Sequence, residues 1–476
     1  MKFPRHWWLL ILLLAASALR LAWIPVQWDE NEHLAAIWDI AQGNAPYSLF
    51  EHHWPGLYLT GPWLIPFPSI GTAVAAARIW CFLSLAVTSF LLHLHWKKAP
   101  LGALIIADAL LFWALRDFRP EIVAAPLLAG GWVLAERKPA AAGFLLGLAG
   151  IFSPRVFFVA LLSGWKQRDP LYWTAFAVAP VLTASYLLSI ADPAWLRFSL
   201  MEFNAGLQPI LVWGPQFLRA TVQSLAHPMR ADFTPLLVLL LSAWAVRNAI
   251  RSPRAMGSAA LLAAAAWWLL LDTQRASSSL GILALCTAFA GISLPRWNSV
   301  VAGVFIALFA WGGIRDAAAS IRLVEPQPET AVLKKIPEIL TGNVRWERPL
   351  AASITALEEI RAACEGPSTP LGTVFSPPPD HPILCPNASR ILWFTASDTV
   401  LSLRGLGRED LLDRGVQDII ESKPALISQR FEEFFRYSPE HAARIRAFIA
   451  SERYASQQIG GRWFYRRHSP LTAHRL

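Results

Sequence analysis

The chain has 476 residues, of which 55% are hydrophobic and only 16% charged, against roughly 25% charged in an ordinary soluble domain. Its formal charge of +9 comes from short basic clusters between apolar runs and not from one continuous stripe, so a nucleic-acid interface is not its source. No phosphate-binding glycine loop, nucleophile elbow or nucleotide-binding domain is visible, which leaves ATP-driven transport and nucleotide-sugar chemistry without support.

Apolar runs of about 17–25 residues recur through the first two thirds, the length that crosses about 30 Å of hydrocarbon as a helix. Taken in order they predict helices at 7–26, 72–95, 99–115, 121–135, 140–152, 156–165, 171–190, 234–246, 255–271, 279–294 and 298–314. The first follows Lys2 and Arg5, as a signal peptide would. Arg20 and Trp23 stand where small cleavage-site residues belong, so it is read as an uncleaved helix. Lys97-Lys98, Glu136-Arg137-Lys138, Lys166-Gln167-Arg168, Arg247 to Arg254 and Arg296 are basic ends assigned to the cytoplasm, and the remaining gaps face the periplasm. Ser153-Pro154-Arg155 interrupts the run 140–165. Proline breaks the hydrogen-bond ladder and arginine is costly at mid-bilayer, so two short helices meeting at an outward turn are expected. A single kinked helix is the alternative and would reverse the topology after it.

Two long outward gaps follow, 27–71 and 191–233. The first contains an amphipathic piece, Glu32 to Ala41, whose Leu34, Ile37, Trp38 and Ala41 recur at helical spacing; it is expected along the membrane surface. The second is aromatic and interfacial, with a membrane dip near Leu207 to Trp213 as a variant reading. From about Asp316 prolines and charges become frequent, and residues 316–476 form a soluble periplasmic α/β domain with a core of its own. Pro370 to Phe375 and Pro424 to Ser428 read as strands, while Ala351 to Cys364, Glu409 to Ser422 and Pro439 to Glu452 read as helices. Cys81 and Cys286 are buried hydrophobes, whereas Cys364 and Cys385 lie where a disulfide could persist, and the sequence leaves their pairing open. The expected fold is an all-α polytopic inner-membrane protein of about 11 helices, residues 1–315, carrying that C-terminal domain.

Candidate chemistry concentrates in the first outward loop. Asp29, Glu30, Glu32, Asp39 and Glu51 occur there with His33, His52 and His53, beside a bilayer surface. Transfer of a sugar from a lipid phosphate needs a carboxylate to take the acceptor's proton, and cations or a metal to stabilise the departing phosphate. A solvated acid pair is the bland alternative for Asp29-Glu30. The histidines and carboxylates, Glu51 and His53 foremost, are a candidate divalent-metal set, although their spacing matches no fixed zinc signature.

Trp28-Asp29-Glu30-Asn31-Glu32-His33, Phe50-Glu51-His52-His53-Trp54-Pro55-Gly56-Leu57-Tyr58 and Ala77-Arg78, in that order, resemble the glycosyltransferase C superfamily, nearest to protein O-mannosyltransferases and lipid A aminoarabinose transferases. The resemblance implies a dolichyl- or undecaprenyl-phosphate sugar as donor, a periplasmic glycan, lipid or protein as acceptor, inversion at the anomeric carbon, Asp29 as general base and Glu30 as an acceptor-orienting acid. Glu51, His52 and His53 match the position where relatives carry a charged residue before two prolines; here Trp54-Pro55 departs from the double proline. In Arg116-Asp117-Phe118-Arg119-Pro120-Glu121, the residues Arg119, Pro120 and Glu121 fill the positions where relatives place an arginine, a proline and an acid at the start of the fourth helix, with Arg116 and Asp117 beside them, and Arg155 follows a glycine-rich helix containing Gly143, Gly147 and Gly150. The arginines are thereby implied as donor-phosphate ligands, with interfacial anchoring or snorkelling as the plain alternative. Asp108, inside an apolar run, and Asp272-Thr273-Gln274-Arg275 are weaker candidates. Two other classes fit the same composition: a flippase for a lipid-linked sugar, which predicts charges along a transmembrane path, and a non-catalytic assembly protein.

Overall fold

The computed structural model describes residues 7–48, 53–95, 118–164, 167–203, 349–364, 372–376, 380–392 and 396–467. The described residues are mostly helical, with one small mixed sheet among them. Helix α1 (Trp7–Trp23) leads through a short turn into α2 (Trp28–Ala41), followed by α3 (Gly56–Leu64) and the long α4 (Ile70–His95). Next come α5 (Pro120–Leu134), α6 (Pro139–Gly150), α7 (Pro154–Ser163), α8 (Pro170–Ile190) and the short α9 (Pro193–Arg197), which runs on into a π-helical turn at Phe198–Glu202. Helices α5 to α9 all start on proline, whose missing N–H costs nothing in the first turn and whose fixed φ suits a helix. Asp169 and Asp192 cap α8 and α9, accepting from the backbone N–H of Leu171 and of Ala194 and Trp195.

The expected interruption at 153–155 is a clean break: α6 ends at Gly150, Ser153 is extended, and α7 restarts on Pro154. Helices α4, α5, α6 and α8 pack side by side in that order, while α1 packs on α4 and α2 lies across α3 and α4. The tightest contact is between α6 and α8. A Cβ on Gly143 would lie 2.1 Å from the Tyr172 carbonyl oxygen, and one on Gly147 would lie 2.0 Å from that of Phe176. Two glycines four residues apart on one helix face thus let the two backbones touch. Among the described residues, two helices are long and apolar enough to cross a membrane, Ile70–Leu94 and Pro170–Ile190.

The C-terminal part contributes α10 (Pro349–Cys364), β1 (Val374–Phe375), α11 (Ala396–Gly405), α12 (Glu409–Ser422), β2 (Leu426–Ser428), α13 (Phe431–Phe434), α14 (Pro439–Ser451), β3 (Tyr454–Ile459) and β4 (Arg462–Arg467). The sheet order is β1-β2-β4-β3, with β1 parallel to β2 and the other pairs antiparallel. Gly460 and Gly461, with φ of +56° and +72°, make the two-residue turn between β3 and β4.

This part sits against the start of the chain. Ser353 Oγ accepts from the Val26 backbone N–H at 3.0 Å, and Glu358 Oε1 accepts from the Ile70 N–H at 2.9 Å, an anion at the N-terminus of α4. The His381 carbonyl accepts from Asn31 Nδ2 at 2.9 Å, which ties the segment 380–392 to the first turn of α2. That segment is itself held by buried Asp380, paired with Arg462 at 2.8 Å and more distantly with Arg430.

Several expectations are revised. Loop 27–71 holds a second helix, α3, and its first helix begins four residues before Glu32, at Trp28. The C-terminal part gains α11, α13 and the β3-β4 hairpin. No disulfide joins Cys364 and Cys385: both are buried thiols in one small apolar cluster with Ile360, Val374, Leu426 and Phe464. The predicted helices at 99–115, 234–246, 255–271, 279–294 and 298–314 lie outside the described residues, as do Asp108, residues 272–275 and the variant dip at 207–213.

Because backbone, not a movable side chain, blocks a Cβ at Gly147, Gly147→Ala is expected to destabilise the chain by about 1–3 kcal/mol. A lowered thermal midpoint in detergent, larger than that of Gly461→Ala in the exposed hairpin turn, is the expected reading.

Candidate functional site

The turn between α1 and α2 is shaped by one buried arginine. Arg78, on α4, donates through Nε to Glu30 Oε1 at 2.8 Å and through Nη2 to Glu30 Oε2 at 2.7 Å, a two-pronged ion pair. Its remaining donors reach the carbonyls of Leu21, Ile24 at 2.9 Å and Pro25 at 3.0 Å. All five guanidinium N–H groups are therefore used, three of them on carbonyls left over where α1 ends. Glu30 Oε2 also accepts from the Gln27 backbone N–H at 3.2 Å, the reciprocal half of a capping box for α2. Glu30 is fully enclosed, with both carboxylate oxygens held by Arg78.

Asp29, one residue earlier, points elsewhere. Its carboxylate pairs with the guanidinium of Arg119, the extended residue before α5, and the two side chains remain 23% and 19% exposed. Glu121, in the first turn of α5, accepts from Arg155 Nη1 at 3.0 Å and from Ser153 Oγ at 2.9 Å. Arg119 and Arg155 are both near enough for their charges to act on Glu121. The sequence-distant Asp29, Arg119, Glu121 and Arg155 thus form one charged cluster at the N-terminal ends of α2, α5 and α7.

Beside it lies a second group. His53 Nε2 is 2.8 Å from Glu32 Oε1, and the His53 ring meets His33 edge-on at 4.5 Å between centroids. His33 Nδ1 is 3.2 Å from the Tyr58 hydroxyl, and the Tyr47 hydroxyl donates to the His53 carbonyl at 2.8 Å. One ligand atom each from Glu32, His33 and His53 lies within 4.8 Å of the others, so these residues could hold a metal ion. Burial pushes the His33 imidazole down to about 4, opposed by Asp29 and Glu121 and reinforced by Arg119, so its ring is neutral near pH 7. Tyr47 holds a φ of +65°, a left-handed conformation that a bulky residue rarely adopts, at the point where this loop turns back.

Of the remaining sequence candidates, Asp39 faces away and holds its own loop, accepting from Asn44 at 2.8 Å and Ser48 at 3.3 Å. Glu51, His52, Arg116 and Asp117 lie outside the described residues, so the Glu51 half of the suggested metal pair does too. Glu32, His33 and His53 belong to the histidine and carboxylate set expected in the first outward loop, whereas Tyr58, which orients His33, does not. The spacing carried no signal for which of them would meet, because the contact joins α2 to a residue about twenty positions later. Comparison with protein-family models, with curated proteins and with solved structures finds no match.

Truncating one side of the buried pair leaves an uncompensated charge, so Glu30→Ala or Arg78→Ala is expected to cost about 3–5 kcal/mol, read as a large fall in thermal midpoint. A pH effect is expected from His381, which burial holds down to about 4, with partial compensation from a ring hydrogen bond to the Cys385 carbonyl at 3.1 Å. The unfolded chain takes up this proton first as pH falls, so stability is intact above about pH 6.5 and declines towards pH 4, by on the order of 3 kcal/mol. His381→Gln, which keeps a donor but does not titrate, should flatten the fall in thermal midpoint over that window.

Proposed function

We propose that the chain is an integral-membrane glycosyltransferase that moves one sugar from a polyprenyl-phosphate donor to an acceptor on the outer side of the membrane, with Asp29 as general base. The observation that carries this reading is the contact between Asp29 and Arg119: a partly exposed carboxylate touching a partly exposed guanidinium. Acceptor activation needs the first group, and a departing phosphate needs the second.

In this mechanism the acceptor's hydroxyl or amine gives its proton to Asp29 as its oxygen or nitrogen bonds to the anomeric carbon. The bond from that carbon to the phosphate oxygen breaks, and its electron pair leaves with the polyprenyl phosphate. The arriving phosphate competes with Asp29 for Arg119, which releases the carboxylate to act as a base. Arg155, tethered by Glu121, offers a second charge-assisted donor. Attack opposite the leaving group inverts the anomeric centre. His33, neutral near pH 7, contributes no cation to phosphate binding.

Membrane placement is supported by the apolar residues that α4 and α8 turn outward. On α4 these include Ile79, Leu83, Val87, Phe90 and Leu94, and on α8 Leu171, Val181, Leu182 and Leu188. Such faces need a non-aqueous neighbour. At 1.5 Å per residue the two helices, 25 and 21 residues long, span roughly 37 and 31 Å, enough for the hydrocarbon layer. A polytopic inner-membrane protein with its C-terminal part in the periplasm, over the donor site, fits these features.

The test uses membrane vesicles containing the full chain, supplied in parallel with radiolabelled undecaprenyl-phosphate hexoses and pentoses. Wild-type membranes are expected to discharge at least one donor, and Asp29→Asn to slow that transfer by about 10²–10⁴-fold with an unchanged thermal midpoint. Equal transfer by the two proteins contradicts the assignment of the base. Label that crosses the bilayer without being transferred identifies a flippase instead.

A further inference from the structure

We infer that Glu32, His33 and His53 bind one divalent transition-metal ion of the zinc class, which presents an open coordination position to an oxygen of the donor's phosphate. The second half of this statement rests on the transferase reading; the first half does not.

Three features carry the metal site. The ligand set is a carboxylate and two imidazoles, each offering one donor atom within a 4.8 Å envelope. A tetrahedral ion with bonds of about 2.0–2.2 Å holds its ligand atoms about 3.3 Å apart. The observed envelope needs only small side-chain adjustments to reach that spacing, with the 2.8 Å contact between Glu32 and His53 opening slightly. Imidazole nitrogen selects zinc and its neighbours over magnesium or calcium, which prefer an all-oxygen shell. Three protein ligands leave a fourth position for water or substrate.

The second feature is preorganisation. Glu32 and His33 are buried on one helix, whose start is locked by the Arg78–Glu30 pair. The Tyr58 hydroxyl restrains the His33 ring at Nδ1, and the Tyr47 hydroxyl restrains the His53 backbone. Outer partners of this kind orient the ligands of metal sites.

The third feature is charge. The cluster contains Asp29, Glu32 and Glu121 against Arg119 and Arg155, three negative and two positive, for a sum of −1. A divalent cation changes that sum to +1, the sign needed to hold a lipid-linked phosphate and to stabilise the charge it gains on leaving.

The experiment uses the full-length chain, purified in detergent without a polyhistidine tag and stripped with a chelator, then titrated with zinc chloride against a chromophoric competitor. One equivalent of zinc is expected to bind in the wild type. Glu32→Gln and His53→Ala should weaken binding beyond the roughly 10–100-fold that loss of an outer partner costs, and Tyr58→Phe should fall within that range. Cobalt(II) in place of zinc should give the visible absorption of a four-coordinate nitrogen and oxygen site. A wild type that binds no more zinc than the His33→Ala/His53→Ala double variant overturns the inference, and this comparison does not depend on any variant keeping activity. Asp29→Asn, which is not a ligand, separates the two readings: it should retain zinc and lose transfer. Zinc bound by a chain that transfers no sugar sustains the site and refutes the transferase reading. Transfer that depends on Asp29 in a chain without zinc does the reverse.

Discussion

The arrangement of the site depends on the buried ion pair between Arg78 and Glu30. A charge on the inner face of a long apolar helix is expensive unless every donor is satisfied, and Arg78 meets that requirement by binding both oxygens of Glu30 and three carbonyls at the end of α1. The consequence is geometric. The turn from α1 into α2 has one conformation, α2 starts at a defined point beside α4, and the residues on either side of Glu30 are aimed by it. Asp29 is directed to Arg119 at the partly exposed side, while Asn31, Glu32 and His33 are directed inward.

Around that fixed helix the other parts converge at their N-terminal ends. Helices α5 and α7 both start on proline at the same end of the helical layer, which brings Arg119, Glu121 and Arg155 together although 34 residues separate Glu121 from Arg155. The close glycine contact between α6 and α8 keeps the layer compact behind them. From the other side the His381 carbonyl of the C-terminal part accepts from Asn31 on α2, and Ser353 and Glu358 brace the flanking turns. A part of the chain about 350 residues away in sequence thus touches the helix that carries the proposed base.

Among the described residues the apolar runs were legible because their length separates them from loops, and their starts lie within one or two residues of the expected ones. Proline at 120, 139, 154 and 170 stands at the first helical position, a start signal that the expected bounds did not use. The acid pair at 29–30 was legible as a feature, but the division of labour within it was not: adjacent residues on a helix point about 100° apart, and only the partner on α4 shows which one is enclosed. Helix α3 was missed because Gly61 and Pro62 lie inside it and mask its period. The hairpin of β3 and β4 was missed because exposed Ser456, Gln457 and Gln458 spoil the alternation on one strand, although Gly460-Gly461 was a usable turn signal. The convergence of Glu32 and His33 on His53 is a tertiary fact, set by how the loop containing Tyr47 folds back, and no local pattern encodes it.

We propose that this cluster consumes a lipid-linked sugar. It is tested most directly by measuring the polyprenyl-phosphate sugars in cells that carry or lack the chain. One lipid-linked sugar is expected to accumulate in the absence of the chain and to return to its normal level when the wild-type chain, but not Asp29→Asn, is restored. An unchanged lipid pool, or equal clearance by the two proteins, would contradict it.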